Sequence, residues 1–146
     1  MRRGQQEVTV HSPRIGFVGA GRMGFPMVER LAAAGHDLVV HAHRAESRAA
    51  LDRLGVRHAG ALREVAADRD VLLICVFNDE QLAKIGEPLA AALPDGAVFA
   101  SHTTGRTATL RGLADRFPGI DVLEAPVSGV AADIREGRLT VLLGGP

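Results

Sequence analysis

The segment that most constrains the fold is Ile15-Gly-Phe-Val-Gly19-Ala-Gly21-Arg-Met-Gly24, which follows an extended apolar pattern and opens a helical one. A G-x-G-x-x-G spacing in that setting calls for a strand that turns sharply into a helix. Gly19 permits the tight turn. Gly21 carries no Cβ, so an anionic group can approach the main chain there. Gly24 lets helix and strand pack closely. Ala20, Arg22 and Met23 complete the turn. A helix start offers unpaired N–H groups and the positive end of the helix dipole at one point, which suits a diphosphate.

The chain around this segment alternates between two periodicities. Arg14 to Val18 reads as a buried strand. From about Arg22 to Ala34, Met23, Met27 and Leu31 recur at helical spacing, with Pro26 in the first turn and Gly35 as the stop. Strands are then expected at Asp37 to Ala42, Val56-Arg57, Asp70 to Phe77, Ala97 to Ala100, Ile120 to Glu124 and Leu139 to Leu143. Helices are expected at Glu46 to Leu54, Ala61 to Ala67 and Thr107 to Arg116, with a further helical stretch from Asp79 broken around Gly86 and Pro88. Strands alternating with helices imply right-handed crossovers and a mostly parallel sheet covered on both faces. The expected fold is α/β, a doubly wound dinucleotide-binding sheet of the Rossmann type. A single domain is expected over residues 13–146, behind a flexible polar arm at 1–12.

Composition narrows the functional classes. The 146 residues suffice for one domain. Lys plus Arg balances Asp plus Glu at 17 each, so no long-range field draws in nucleic acid or an anionic membrane. Any anion must be held by local geometry. No apolar run reaches membrane-spanning length. The one cysteine, Cys75, lies in the run Val71-Leu-Leu-Ile-Cys-Val76 and reads as a buried, inert thiol. It permits no intramolecular disulfide and suits a reducing, cytoplasmic setting. No metal ligand set is assigned.

The tip of the second strand bears on the choice of coenzyme. An Asp or Glu there would bind a ribose 2′-hydroxyl, whereas an arginine suits a 2′-phosphate. The sequence is Leu38-Val-Val-His41-Ala-His43-Arg44, with no acid before Glu46 and with Arg48 one turn on. His43 and Arg44 therefore point to NADP, with NAD as the alternative. Solvated surface arginines would read the same way.

Several separated motifs resemble the β-hydroxyacid dehydrogenase family, which includes 3-hydroxyisobutyrate dehydrogenase. They are Ile15 to Met27, Gly35-His-Asp-Leu-Val-Val40, Glu124-Ala-Pro-Val-Ser-Gly129 and Gly137-Arg-Leu-Thr-Val-Leu-Leu-Gly-Gly145. The resemblance implies hydride transfer between NAD(P) and a small 3-hydroxy acid or its aldehyde. It implies that Ser128 and Gly129 help hold the substrate carboxylate, and that Phe77 and Asn78 lie along the cofactor. It puts Thr103 near the nicotinamide, with His102 where the family has Ser. For Asn78 a helix N-cap is an equally good reading, and for Ser128 a turn. Glu124 stands where the family has Asp, and Val130 where it has a third glycine. Ala42-His43 replaces its Asn-Arg. A branched residue such as Val130 disfavours positive φ, so a reshaped substrate loop is expected.

The resemblance also implies what this stretch lacks. The family's catalytic lysine lies on a long helix beyond the corresponding position of Pro146, in a second, helical domain. The one lysine here, Lys84, reads as a solvated surface residue. No catalytic residue is therefore assigned. The chain alone is expected to be inactive, and a homo-oligomer is expected only with that second domain. Two alternatives stay open: the first domain of an imine-reductase-like protein, and a non-catalytic NADP-binding module.

Overall fold

The computed structural model describes residues 11–145. Residues 1–10 of the expected arm lie outside the described residues. His11 and Ser12 are exposed and without regular structure. The chain then runs through β1 (Ile15–Val18), α1 (Gly24–Ala33), β2 (Leu38–His41), α2 (Ala45–Arg53), β3 (Arg57–Ala59) and α3 (Leu62–Ala66). It continues with β4 (Val71–Ile74), α4 (Asp79–Ala92), β5 (Val98–Ser101), α5 (Thr107–Arg116) and β6 (Asp121–Glu124).

These six strands form one sheet in the order β3-β2-β1-β4-β5-β6, and every pairing is parallel. The chain runs outward from β1 to β3, then returns to the other side of β1 at β4. This is the doubly wound α/β fold. In such sheets ligands bind beyond the carboxyl ends of the strands where the direction of winding reverses, here between β1 and β4.

The strand sequences show why both faces are covered. Alternate residues of a strand point to opposite faces. Ile15 and Phe17 of β1 and Leu38 and Val40 of β2 join Met27, Val28 and Leu51 in one buried cluster, under α1 and α2. Val18, Val39, Leu72, Ile74 and Phe99 join Val65, Leu82, Leu89, Leu110 and Leu113 in the other, under α3, α4 and α5. Phe17 and Phe99 are fully buried, one in each cluster. Truncating either to alanine would cost about 3–5 kcal/mol.

Helix α4 runs unbroken through Gly86 and Pro88, against the expected interruption there. Gly86 is buried against Leu113, where a Cβ would come within 2.9 Å of the leucine side chain, so the glycine lets α4 approach α5. Pro88 lies on the exposed side, where water can satisfy the carbonyl its missing N–H leaves free. Tertiary packing outweighs propensity at both positions.

After β6 the chain leaves the sheet. β7 (Val127–Ser128) and β8 (Thr140–Val141) form a separate antiparallel ribbon around the short α6 (Ala131–Arg135). Only Thr140 and Val141 of the expected strand Leu139 to Leu143 pair in it. Glu124 bridges Gly144, which ties the ribbon back to the sheet. α6 docks on α1 through buried Ile134 and through Arg135 Nε, which donates to Glu29 Oε2 at 3.1 Å. No helix among the described residues is long and apolar enough to cross a membrane.

Candidate functional site

The turn from β1 into α1 is shaped by three glycines with three different duties. Gly19 has φ +99°, and a Cβ there would overlap the Cys75 carbonyl of the neighbouring chain segment. A Cβ on Gly24 would overlap the Gly19 carbonyl. Around Gly21 the opposite holds: a Cβ would meet nothing within 4 Å. The turn is thus packed hard against the sheet on one side and open at Gly21 on the other.

Phe25 N–H donates to the Gly21 carbonyl at 2.9 Å and closes the first helical turn. The N–H groups of Gly21, Arg22, Met23 and Gly24 find no acceptor among the described residues, and no side chain caps the helix. Unpaired donors at the helix start, over a residue with no side chain, form an anion cradle.

Two hollows flank this opening and share Gly21, Cys75, Val76 and Phe77. The one on the β2 side has a volume of about 390 Å³, and its walls include His41, Ala42, His43, Arg44, Ser47 and Gln81. No carboxylate lines it. The other, about 680 Å³, lies towards β5 and includes Met23, His102, Thr103, Thr104 and Val127. Phe77 stands between them with 89% of its surface exposed.

Hydrogen bonds show which polar side chains are free for a ligand. Asn78 Oδ1 accepts from Gln81 N–H at 2.9 Å, so its oxygen caps α4, and Asn78 lines neither hollow. Gln81 Oε1 in turn accepts from Phe77 N–H at 2.8 Å and fixes the loop after β4. Thr103 is buried, and its hydroxyl donates to the Val76 carbonyl and accepts from Val76 N–H, at 3.2 and 3.1 Å. It clamps the loops after β4 and β5 together. Thr104, next along, is exposed.

His102 is held more tightly. Its Nδ1 lies 2.8 Å from the Ala125 carbonyl, which can only accept, so Nδ1 carries a proton. Its main-chain N–H donates to Ile74 O at 2.7 Å. Burial pushes the imidazole below the usual histidine range, partly offset by the bond to Ala125. His41 is lowered by burial too, and its Nε2 donates to the Gly60 carbonyl at 3.1 Å. Burial pushes the Cys75 thiol up, which keeps it protonated.

The residues from Gly19 to Gly24 thus come together with His43, Arg44, Phe77 and Thr103. Arg48 lines neither hollow. Ser128 and Gly129 lie outside them as well, in the ribbon, whereas the neighbouring Val127 reaches the larger hollow. Gly129 has φ +141°. Val130 sits in ordinary extended backbone, with its N–H donating to Asp133 Oδ2 at 2.9 Å. The replacement of a third glycine therefore introduces no backbone strain at Val130. Sequence reasoning did not assign His41, Ser47, Gln81 or Val127 to the site, because they reach it only through strand pairing and loop packing; for His41 and Val127 the signal was their place in the strand tip and in the Glu124–Gly129 motif.

A parallel sheet wound in this order, with an anion cradle at its reversal point and a hollow on either side, defines a dinucleotide-binding domain. The chain belongs to the family of the NAD binding domain of 6-phosphogluconate dehydrogenase, which it matches over residues 14–146. An uncharacterized oxidoreductase of Shewanella frigidimarina is 33% identical over 139 residues, covering 90% of this chain and 47% of that protein. The structure of Mycobacterium tuberculosis 3-hydroxyisobutyrate dehydrogenase with L-serine superposes with a TM-score of 0.85 at 25% identity, over 93% of this chain and 47% of that one. That of Psf3 in complex with NADP+ and 2-OPP gives 0.82 at 30% identity, over 90% and 49%. Imine reductases align at 19–21% identity, a likeness of fold alone. The chain spans about half the length of the relatives it matches. It is an NAD(P)-binding domain homologous to 3-hydroxyisobutyrate dehydrogenase-like oxidoreductases.

Proposed function

We propose that this chain is the coenzyme-binding half of an NADP-preferring oxidoreductase acting on a small 3-hydroxy acid or its aldehyde. The observation that carries the reading is the opening at Gly21, with unpaired N–H groups beside it and a hollow on each side. In this reading the diphosphate rests on the turn from Gly19 to Gly24, with Ala20, Arg22 and Met23 as its walls. The adenosine half occupies the hollow of His43 and Arg44, and the nicotinamide half the hollow of His102, Thr103 and Thr104. Phe77 covers the join. When bound, the nicotinamide supplies hydride donation and acceptance.

The preference for NADP rests on the walls of the smaller hollow. It offers the Arg44 guanidinium and no carboxylate. A 2′-phosphate gains a charge-assisted pair there, while a 2′-hydroxyl finds no acid to accept from it. Arg44→Ala should lower NADP+ affinity about tenfold while leaving NAD+ nearly unchanged.

Oxidation of an alcohol also needs a proton acceptor. Lys84 lies exposed on α4 and lines neither hollow. The chain alone is therefore a binder that does not turn over, and the other half of the longer relatives corresponds to the part that supplies the base. Ser128 and Gly129, at the edge of the ribbon, hold the substrate carboxylate once that half closes over them.

Calorimetry with NADP+ and NAD+ tests the reading, with a turnover assay on 3-hydroxy acids beside it. Binding of NADP+ in preference to NAD+, without turnover, is the expected result. No heat with either coenzyme at millimolar concentration, from a demonstrably folded chain, would overturn it.

A further inference from the structure

His102 lines the larger hollow, and one of its two ring nitrogens has no partner among the described residues. His102 Nδ1–H is committed to the Ala125 carbonyl, and no donor among the described residues reaches its other ring nitrogen, Nε2. Ala125 is itself fixed, its N–H donating to the Ser101 carbonyl at 2.7 Å. The ring is thus held between β5 and the segment after β6, half-buried, with one tautomer imposed. Burial favours the neutral imidazole, in which Nε2 presents a lone pair.

The rest of this hollow matches that acceptor to a particular kind of ligand. Met23, Val76 and Val127 give it apolar walls, and the Thr103 hydroxyl is already engaged with Val76. A planar, largely apolar ring bearing one primary amide fits such a wall set. At Nε2 itself a carboxylate does not fit, since it would bring a negative charge onto a lone pair, and the hollow's one cationic wall, Arg22, belongs to the glycine turn.

We propose that His102 Nε2 accepts a hydrogen bond from the carboxamide N–H of the nicotinamide ring and so fixes the rotation of that ring in the hollow. The inference rests on the coenzyme reading above. His102 is on this account a positioning residue, oriented by Ala125.

Calorimetry on the chain with three probes tests it: NADP+, its 3-acetylpyridine analogue, in which a methyl ketone replaces the amide, and 2′-phospho-ADP-ribose, which lacks the ring. The native chain should bind NADP+ about tenfold tighter than the acetylpyridine analogue, the value of one buried hydrogen bond. His102→Phe should abolish that difference and leave 2′-phospho-ADP-ribose affinity unchanged, a selectivity that loose packing alone would not produce. Equal affinity of the native chain for NADP+ and the analogue overturns the proposal. So does a difference that survives in His102→Phe, including the case in which Nε2 serves a substrate hydroxyl instead. If His102→Phe does not fold, the native comparison decides alone. Binding of none of the three probes removes the coenzyme reading itself, and this inference with it.

Discussion

The turn from Gly19 to Gly24 and the ribbon from Val127 to Val141 both flank the larger hollow, yet they are built in opposite ways. In the turn, main chain packs on main chain: Gly24 lies on the Gly19 carbonyl, and Gly19 on the Cys75 carbonyl. Side chains contribute little, so the shape is imposed by residues that lack them. The ribbon pairs two residues on each side and continues into exposed apolar positions, with Leu142 at 63% and Leu143 at 70%. Its α6 rests on α1, but its outer apolar surface meets nothing among the described residues. A region fixed by backbone contact is rigid before any ligand arrives. A region with uncovered apolar side chains has contacts still to make.

Substitutions should separate the two regions sharply. The largest effect is expected at Gly24→Ala, where the new methyl meets a main-chain carbonyl with no room to shift. The loss should be about 3 kcal/mol of stability, read by chemical unfolding. A loss near zero would show that the turn can relax and that backbone packing does not define it. Gly21→Ala should be close to neutral for folding, because the methyl enters open space. It should still weaken NADP+ binding about tenfold or more, by standing where the diphosphate approaches. If binding is unchanged, the opening is not the cradle.

A third test concerns the anchor beneath the turn, where Asp70, just before β4, binds the residue before β1. Its Oδ2 accepts from Arg14 N–H at 2.7 Å and from Nε at 3.1 Å, and the Arg14 guanidinium holds its pKa down to about 2. A carboxylate with a lowered folded-state pKa stabilises the fold above its unfolded value of 3.8, and that contribution is lost as pH falls through about 2. Asp70→Asn should therefore flatten the acid limb of the stability curve between these values and change its shape little near neutrality. The smallest effect belongs to the ribbon. Replacing Leu142 and Leu143 with serine should change stability by no more than about 0.5 kcal/mol, since neither side chain is buried. A larger loss would mean that the ribbon is covered in solution and that the contrast is false.

Much of the fold is readable from single residues, and the reasons differ by element. β1, β2, β4 and β5 are legible because each lies in a short, nearly continuous apolar run, and α1 because Met27 and Leu31 share a face, whereas β3, Arg57-His-Ala59, carries no such run and shares only Arg57 with the expected strand. α4 is less legible, because Gly86 and Pro88 are helix breakers in isolation. Only the Leu113 contact and the exposed position of Pro88 show why they do no harm. β7 and α6 are too short to carry a period. At the site, the placement of the glycines in the turn and of Arg44 beside it is legible from spacing, since it depends on main-chain form and sequence distance.

The sequence by itself determined where the glycine turn lies and which strands surround it, because missing side chains at fixed intervals act through the local backbone. Only the tertiary structure decided which polar groups remain available there. Along the chain Asn78 reads equally as a ligand contact or a helix N-cap, and Thr103 as a neighbour of the nicotinamide; folding gives the Asn78 oxygen to Gln81 N–H and the Thr103 hydroxyl to Val76, while Thr103 still lines the larger hollow. His102 looks like an ordinary loop histidine until Ala125, brought beside it by the pairing of β5 and β6, takes one nitrogen and leaves the other. A hydrogen bond between residues distant in sequence depends on where both ends arrive, and no local pattern encodes that.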